Sequence, residues 1–211
     1  MKRIFWISVA VLLVLLAGCN VLPSRPPVTL YQPQPQFPQR SGQVKPVEWR
    51  LGLARPSATG QLITPRILVQ PVPGEIEVYP QARWAQVPSG LLGDALFRAF
   101  EADARVAMLD HANSGRFSDF ELAAELRDFQ LELEGGPQAV IGVKLQLVGY
   151  PAGRILASHV LQARAPARSQ QAPDAVAAFG DALQELLPQI VDWSVAQGEA
   201  AWAQREGDSG Q

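Results

Sequence analysis

The stretch FELAAELRDFQLEL, residues 120–133, carries the longest β signal in the chain. Phe120, Leu122, Ala124 and Leu126 share one parity, while Phe129, Leu131 and Leu133 share the other. Side chains alternate between the two faces of a strand, so a slip of one residue exchanges those faces. The pattern predicts a single long strand with a β-bulge near Arg127 and Asp128 that returns the later apolar residues to the buried side.

On the C-terminal side, Gly135-Gly136-Pro137 turns the chain into Ile141, Val143, Leu145 and Leu147, which alternate with Gly142, Lys144 and Gln146. A second turn at Tyr150-Pro151-Ala152-Gly153 leads into another extended stretch over 154–163, so this region reads as a β-meander. Beyond it, Val176, Phe179, Leu183, Leu186, Ile190 and Trp193 recur at alternating spacings of three and four. That is one stripe of a helix, placed to cover the sheet. Pro188 removes a backbone donor within it and predicts a kink.

On the N-terminal side, 106–109 is strand-like and is followed by an Asn113-Ser114-Gly115 turn signal. Leu92, Ala95, Leu96, Ala99 and Phe100 keep a helical period behind Pro88 and Ser89, the latter a candidate N-cap. Trp49, Leu51 and Leu53 alternate as a strand, and 66–72 is a short apolar run between Pro65 and Pro73-Gly74. Residues 76–79 either extend the sheet or form its rim. The fold class is α/β (α+β): one domain with a mixed, largely antiparallel sheet and two main helices packed on it. No internal repeat is apparent.

The two ends read differently. Met1-Lys2-Arg3 precedes an apolar run over 4–17 and the junction Leu16-Ala17-Gly18-Cys19. Basic residues and an apolar core make a secretory signal over 1–18. The run falls somewhat short of the roughly 20 residues a transmembrane helix needs. The junction resembles a bacterial lipobox, in which small residues admit the chain to a peptidase and the cysteine thiolate accepts diacylglycerol. Cys19 is the sole cysteine, so no intramolecular disulfide can form. It is the expected lipidation site, and this covalent lipid is the only cofactor expected. Asn20, where aspartate would favour inner-membrane retention, favours the outer membrane.

Residues 19–46 form the expected lipidated tether, dense in proline and glutamine, which cannot make a helix or central strand. Extended like polyproline at about 3.1 Å per residue, it would span on the order of 80 Å. The folded domain then occupies 47–204, and 205–211 is a small, polar tail expected to fray. Removing the signal leaves roughly 190 residues, enough for one sizeable core.

Composition and motifs exclude several classes. The chain holds 18 Lys and Arg against 20 Asp and Glu, with no basic stripe to propose a nucleic-acid partner. It lacks a GxSxG elbow, a GxxxxGK[ST] loop, HExxH and a dinucleotide-binding glycine pattern beside a strand. His111 and His159 have no companion ligand pattern, so no metal is expected. Glu132 and Glu134 alternate with Leu131 and Leu133 as a solvated face does. Asp110-His111 near Ser114 or Ser118 is adjacency without the geometry of a triad. An enzyme is not expected.

Four segments in order behind the lipobox carry a family resemblance: RILVQPVPGEIEVYPQARWAQVPSGLLGDALFRAFE, DFELAAELRDFQLEL, VIGVKLQLVGYPAGRILASHV and AVAAFGDALQELLPQIVDW. Together they resemble the ABC-type transport auxiliary lipoprotein family, and within it the PqiC-like accessory lipoproteins of MCE (mammalian cell entry) lipid transport systems. Residues 79–84 depart from the more aromatic pattern expected there, with Pro80 and Gln81 at the centre. The resemblance implies a non-catalytic periplasmic accessory that docks on an MCE-domain protein of an ABC-type lipid transporter. It leaves homo-oligomerisation open.

Tyr79 and Trp84, read as lying in a proline-punctuated loop, are candidate partner-binding residues, with Trp84 under the first helix as the plain alternative. Trp202 is either exposed or packed. A second functional class is an outer-membrane lipoprotein that regulates a periplasmic cell-wall enzyme. A third is direct carriage of lipid, which requires a large apolar cavity.

Overall fold

The computed structural model describes residues 27–39, 45–106, 109–111 and 118–209, with the backbone alone at 109–111, 208 and 209. Cys19, the signal, Asn20 and the Asn113-Ser114-Gly115 turn lie outside the described residues. The strands are β1 Thr29–Tyr31, β2 Leu51–Leu53, β3 Ser57–Ala58, β4 Arg66–Gln70, β5 Glu77–Trp84, β6 Leu109–His111, β7 Phe120–Glu132, β8 Gln138–Gly149 and β9 Arg154–Pro166. Helix α1 is Pro88–Asp103 and α2 is Ala172–Ser209. Among the described residues all nine strands join one mixed sheet.

The organising element is β7. Along one side it pairs antiparallel with β8 from Phe120↔Gly149 to Glu132↔Gln138, and β8 pairs antiparallel with β9. Its other side is shared in succession by three short parallel strands: β2 at Phe120–Leu122, β3 at Glu125–Leu126 and β4 at Gln130–Glu132. Beyond β4 lie β5, antiparallel, and then β1, parallel to β5. The register of β7 with β8 shifts between Leu126 and Asp128, where the parity of the apolar residues changes. The shift keeps Phe120, Leu122, Ala124, Leu126, Phe129 and Leu131 all buried on one face.

Both helices cover that face. Val176, Phe179, Leu183, Leu186 and Ile190 of α2 are buried, as are Leu92, Leu96 and Phe100 of α1. The aromatic core includes Trp84 edge-on to Phe129 and Phe179, and Trp49 edge-on to Phe120. Helix α1 starts with Pro88 at its first turn behind the cap residue Val87, so Ser89 lies inside the helix and is not its cap. Helix α2 continues through Pro188. Arg105 ties the two helices together: it pairs with Asp103 at the end of α1, 2.6 Å, and with Asp192 of α2.

Both ends depart from the sequence reading. Within the expected tether, Thr29–Tyr31 forms β1, which is compatible with the surrounding prolines because it is an edge strand. Residues 32–39 then cross the helices: Pro33 is buried, and the backbone at Gln34 passes over Gly180, where a Cβ would meet Gln34 N at 3.4 Å. The Gln36 amide donates to Gln184 Oε1 at 3.4 Å, and Phe37 packs against the core. At the C-terminus the expected fraying from Arg205 gives way to a helix running to Ser209. Arg205 donates to the carbonyls of Tyr150 (2.8 Å) and Asp119 (3.3 Å) and lies 4.7 Å from the centre of the Phe120 ring.

Candidate functional site

The aromatic candidates separate on burial. Trp84 is 1% exposed, and its ring is enclosed by Phe129 and Phe179. This corrects its reading as a partner contact, since a side chain with no accessible surface cannot anchor an interface in this conformation. Neither Trp84 nor Tyr79 lies in a loop, because both belong to β5. Pro80 read as a breaker, but β5 holds it in an irregular stretch: Val78 pairs with Leu68 and Arg83 with Arg66, leaving 79–82 outside the ladder with β4. A bulge of this kind tolerates a residue without an N–H.

Tyr79 is half-buried, and its hydroxyl donates to the Gln170 carbonyl at 2.6 Å. Burial raises the phenol pKa above its ordinary value, so the group stays neutral at physiological pH. Trp202 is half-buried against Phe120, with ring centres 6.5 Å apart.

The polar candidates form no reactive constellation. Glu132 is paired with Arg164 at 2.6 Å, whereas Glu134 is exposed on the turn into β8. His159 lies on exposed β9 and stacks on Trp193, with ring centres 6.1 Å apart. Of His111 only the backbone is described, on β6. Among the described residues no three His, Cys, Asp or Glu side chains are grouped as metal ligands. No described helix is long and apolar enough to cross a membrane.

Two features offer surface for a partner. The first is the groove between α1 and α2, which residues 32–39 partly fill. Beside Phe37 it leaves an open pocket of about 340 Å³ lined by Ala99, Ala102, Leu187, Pro188 and Val191. The second is β9, a 13-residue strand whose other side pairs with no described strand. It exposes Ile155 (53%) and Val160 (64%). Sequence periodicity finds the strand β9 but carries no signal that it ends the sheet.

The family of ABC-type transport auxiliary lipoprotein components matches residues 29–191, from β1 into α2. The chain belongs to this family. A crystal structure of a DUF330 protein from Xanthomonas campestris is 31% identical and superposes with a TM-score of 0.75, covering 83% of this chain and 99% of that one. A second crystal structure, of an uncharacterised protein 12% identical with a TM-score of 0.60, shares the fold and covers 81% of this chain and 99% of its own. An uncharacterised protein of Bradyrhizobium diazoefficiens is 27% identical over 160 residues, which are 75% of this chain and 43% of that protein. The chain thus spans less than half the length of that curated relative. For this auxiliary lipoprotein the family boundary at residue 29 coincides with the start of β1, ahead of the expected domain start at 47.

Proposed function

We propose that this auxiliary lipoprotein is held by a lipid on Cys19 at the periplasmic face of a membrane, most simply the outer membrane. There it acts as a non-catalytic docking component for an MCE-domain protein of an ABC-type lipid transporter. Family membership over 29–191 carries the reading. The role needs position more than chemistry: an anchored domain raises the effective concentration for a partner that reaches across the periplasm.

The free side of β9 favours β-augmentation over a helix laid in a groove, because the chain's own residues 32–39 already lie in the groove between α1 and α2. A long exposed edge strand invites pairing. Tyr79 keeps some ring surface and is retained as a minor contact, its hydroxyl already engaged by Gln170.

Pull-down of the full lipidated chain from its native membranes tests the reading, and it should recover an MCE-domain protein. A variant carrying Ile155→Lys and Val160→Lys should fold normally and lose that partner. Recovery of a cell-wall synthase in place of an MCE protein would overturn the assignment.

A further inference from the structure

The docked N-terminal segment changes where the domain stands. Ten residues of chain join Cys19 to Thr29. A fully extended chain spans at most about 3.6 Å per residue, which keeps β1 within about 36 Å of the anchor. That is less than half the reach of a tether running to residue 46. The sheet edge made by β1 is therefore held close to the bilayer.

That edge carries a distinctive row of side chains. Leu30 of β1 is in register with Arg83 of β5, which is in register with Arg66 of β4. In-register neighbours share a face of the sheet. The next residues along β1 and β5, Tyr31 and Trp84, point the other way into the core beneath α2, so the row lies on the face opposite the helices. Leu30 is 64% exposed and Val28, of the same parity, 44%. Both arginines are exposed, and neither has an ion-pair partner among the described residues.

We propose that the face formed by Val28, Leu30, Arg66 and Arg83 rests on anionic phospholipid headgroups of the bilayer that holds the anchor. The inference rests on acylation of Cys19. The short connection brings the face to the surface, the guanidinium groups match phosphate in charge and fork geometry, and the aliphatic side chains reach the boundary with the acyl region. Five strand-to-strand steps of about 4.8 Å separate β1 from β9. At roughly 20–25° of twist per step, the sheet turns through about 100° or more between them. With β1 on the membrane, β9 faces the periplasm.

The test uses the full lipidated chain. With its sole cysteine acylated, a Leu30→Cys substitution gives a unique thiol for a polarity-sensitive dye, and Val160→Cys on β9 gives the control. In vesicles of phosphatidylethanolamine and phosphatidylglycerol the dye at position 30 should shift to the blue, whereas the dye at position 160 should stay water-like. In phosphatidylcholine vesicles the shift should largely vanish. Arg66→Gln and Arg83→Gln should each lower the shifted population about fivefold.

A water-like dye at position 30 on an acylated, vesicle-bound chain would overturn the proposal alone. An equal shift in phosphatidylcholine vesicles would also overturn it, showing that the contact does not depend on anionic headgroups. Labelling of Cys19 itself, with no vesicle binding, would overturn the anchor and the proposal together.

Discussion

Gly198 of α2 lies against the fully buried indole of Trp49, so closely that a Cβ at position 198 would overlap the ring, with even Cε2 only 2.9 Å away. The Trp49 Nε1–H donates to Glu199 Oε1 at 3.2 Å, which fixes the ring against the helix. In an exposed helix, replacing glycine by alanine stabilises by about 1 kcal/mol. Here the clash decides the sign, and Gly198→Ala should destabilise by about 1–3 kcal/mol. Urea unfolding checks this; a stabilised variant would show that Trp49 has room to move.

Trp84 should behave as a core residue. Trp84→Ala should cost about 3–5 kcal/mol through the cavity left between Phe129 and Phe179. Among the described residues its buried indole N–H has no hydrogen-bond partner, so Trp84→Phe loses ring volume without a bond seen there and should cost clearly less than Trp84→Ala. Paired unfolding and pull-down experiments on Trp84→Phe should find the partner still captured.

Arg205 closes the end of α2 onto the β8–β9 turn. Arg205→Ala removes donors to two carbonyls and the contact over Phe120, and should cost about 1–3 kcal/mol. Hydrogen exchange should accelerate in the last turns of α2 while β7 and β8 stay protected. Unchanged exchange there would remove Arg205 from this role.

The start of α2 should respond to acid. The Ser169 hydroxyl donates to Asp174 at 2.6 Å and Arg168 pairs with it at 2.7 Å, and these contacts, Ser169 first, hold the carboxyl below its ordinary range. A depressed folded pKa favours the ionised form in the folded protein. The stabilisation is therefore present above the unfolded carboxylate pKa and is lost as the pH falls through the folded value. Ser169→Ala should move the Asp174 titration upward, read directly from side-chain carboxyl shifts in NMR.

Local pattern and long-range pairing were unequally legible in the sequence. The bulge could be read because Leu126 and Phe129 are three apart within an otherwise alternating strand, and only a register shift buries both. The stripe on α2 could be read for a similar reason. By contrast, periodicity says nothing about neighbours, so the three short parallel strands lined up along β7 were hidden. Pro80 marked a loop to local rules, whereas the ladder with β4 resumes at Val78 and Arg83 on either side of it. Proline density around Thr29–Tyr31 and the small residues near Arg205 also misled, because their partners are distant in sequence. As for the docking surface, the residues of β9 were visible but its unpaired side was not.

The resting place of residues 32–39 has a consequence for the order of folding. These residues lean on α2, which lies far along the chain from them and is synthesised long after them. Until α2 is made, this stretch has only part of its seat, the side of the groove that α1 lines. Seating of residues 32–39 therefore completes only once α2 is in place, however early the strands of the sheet pair.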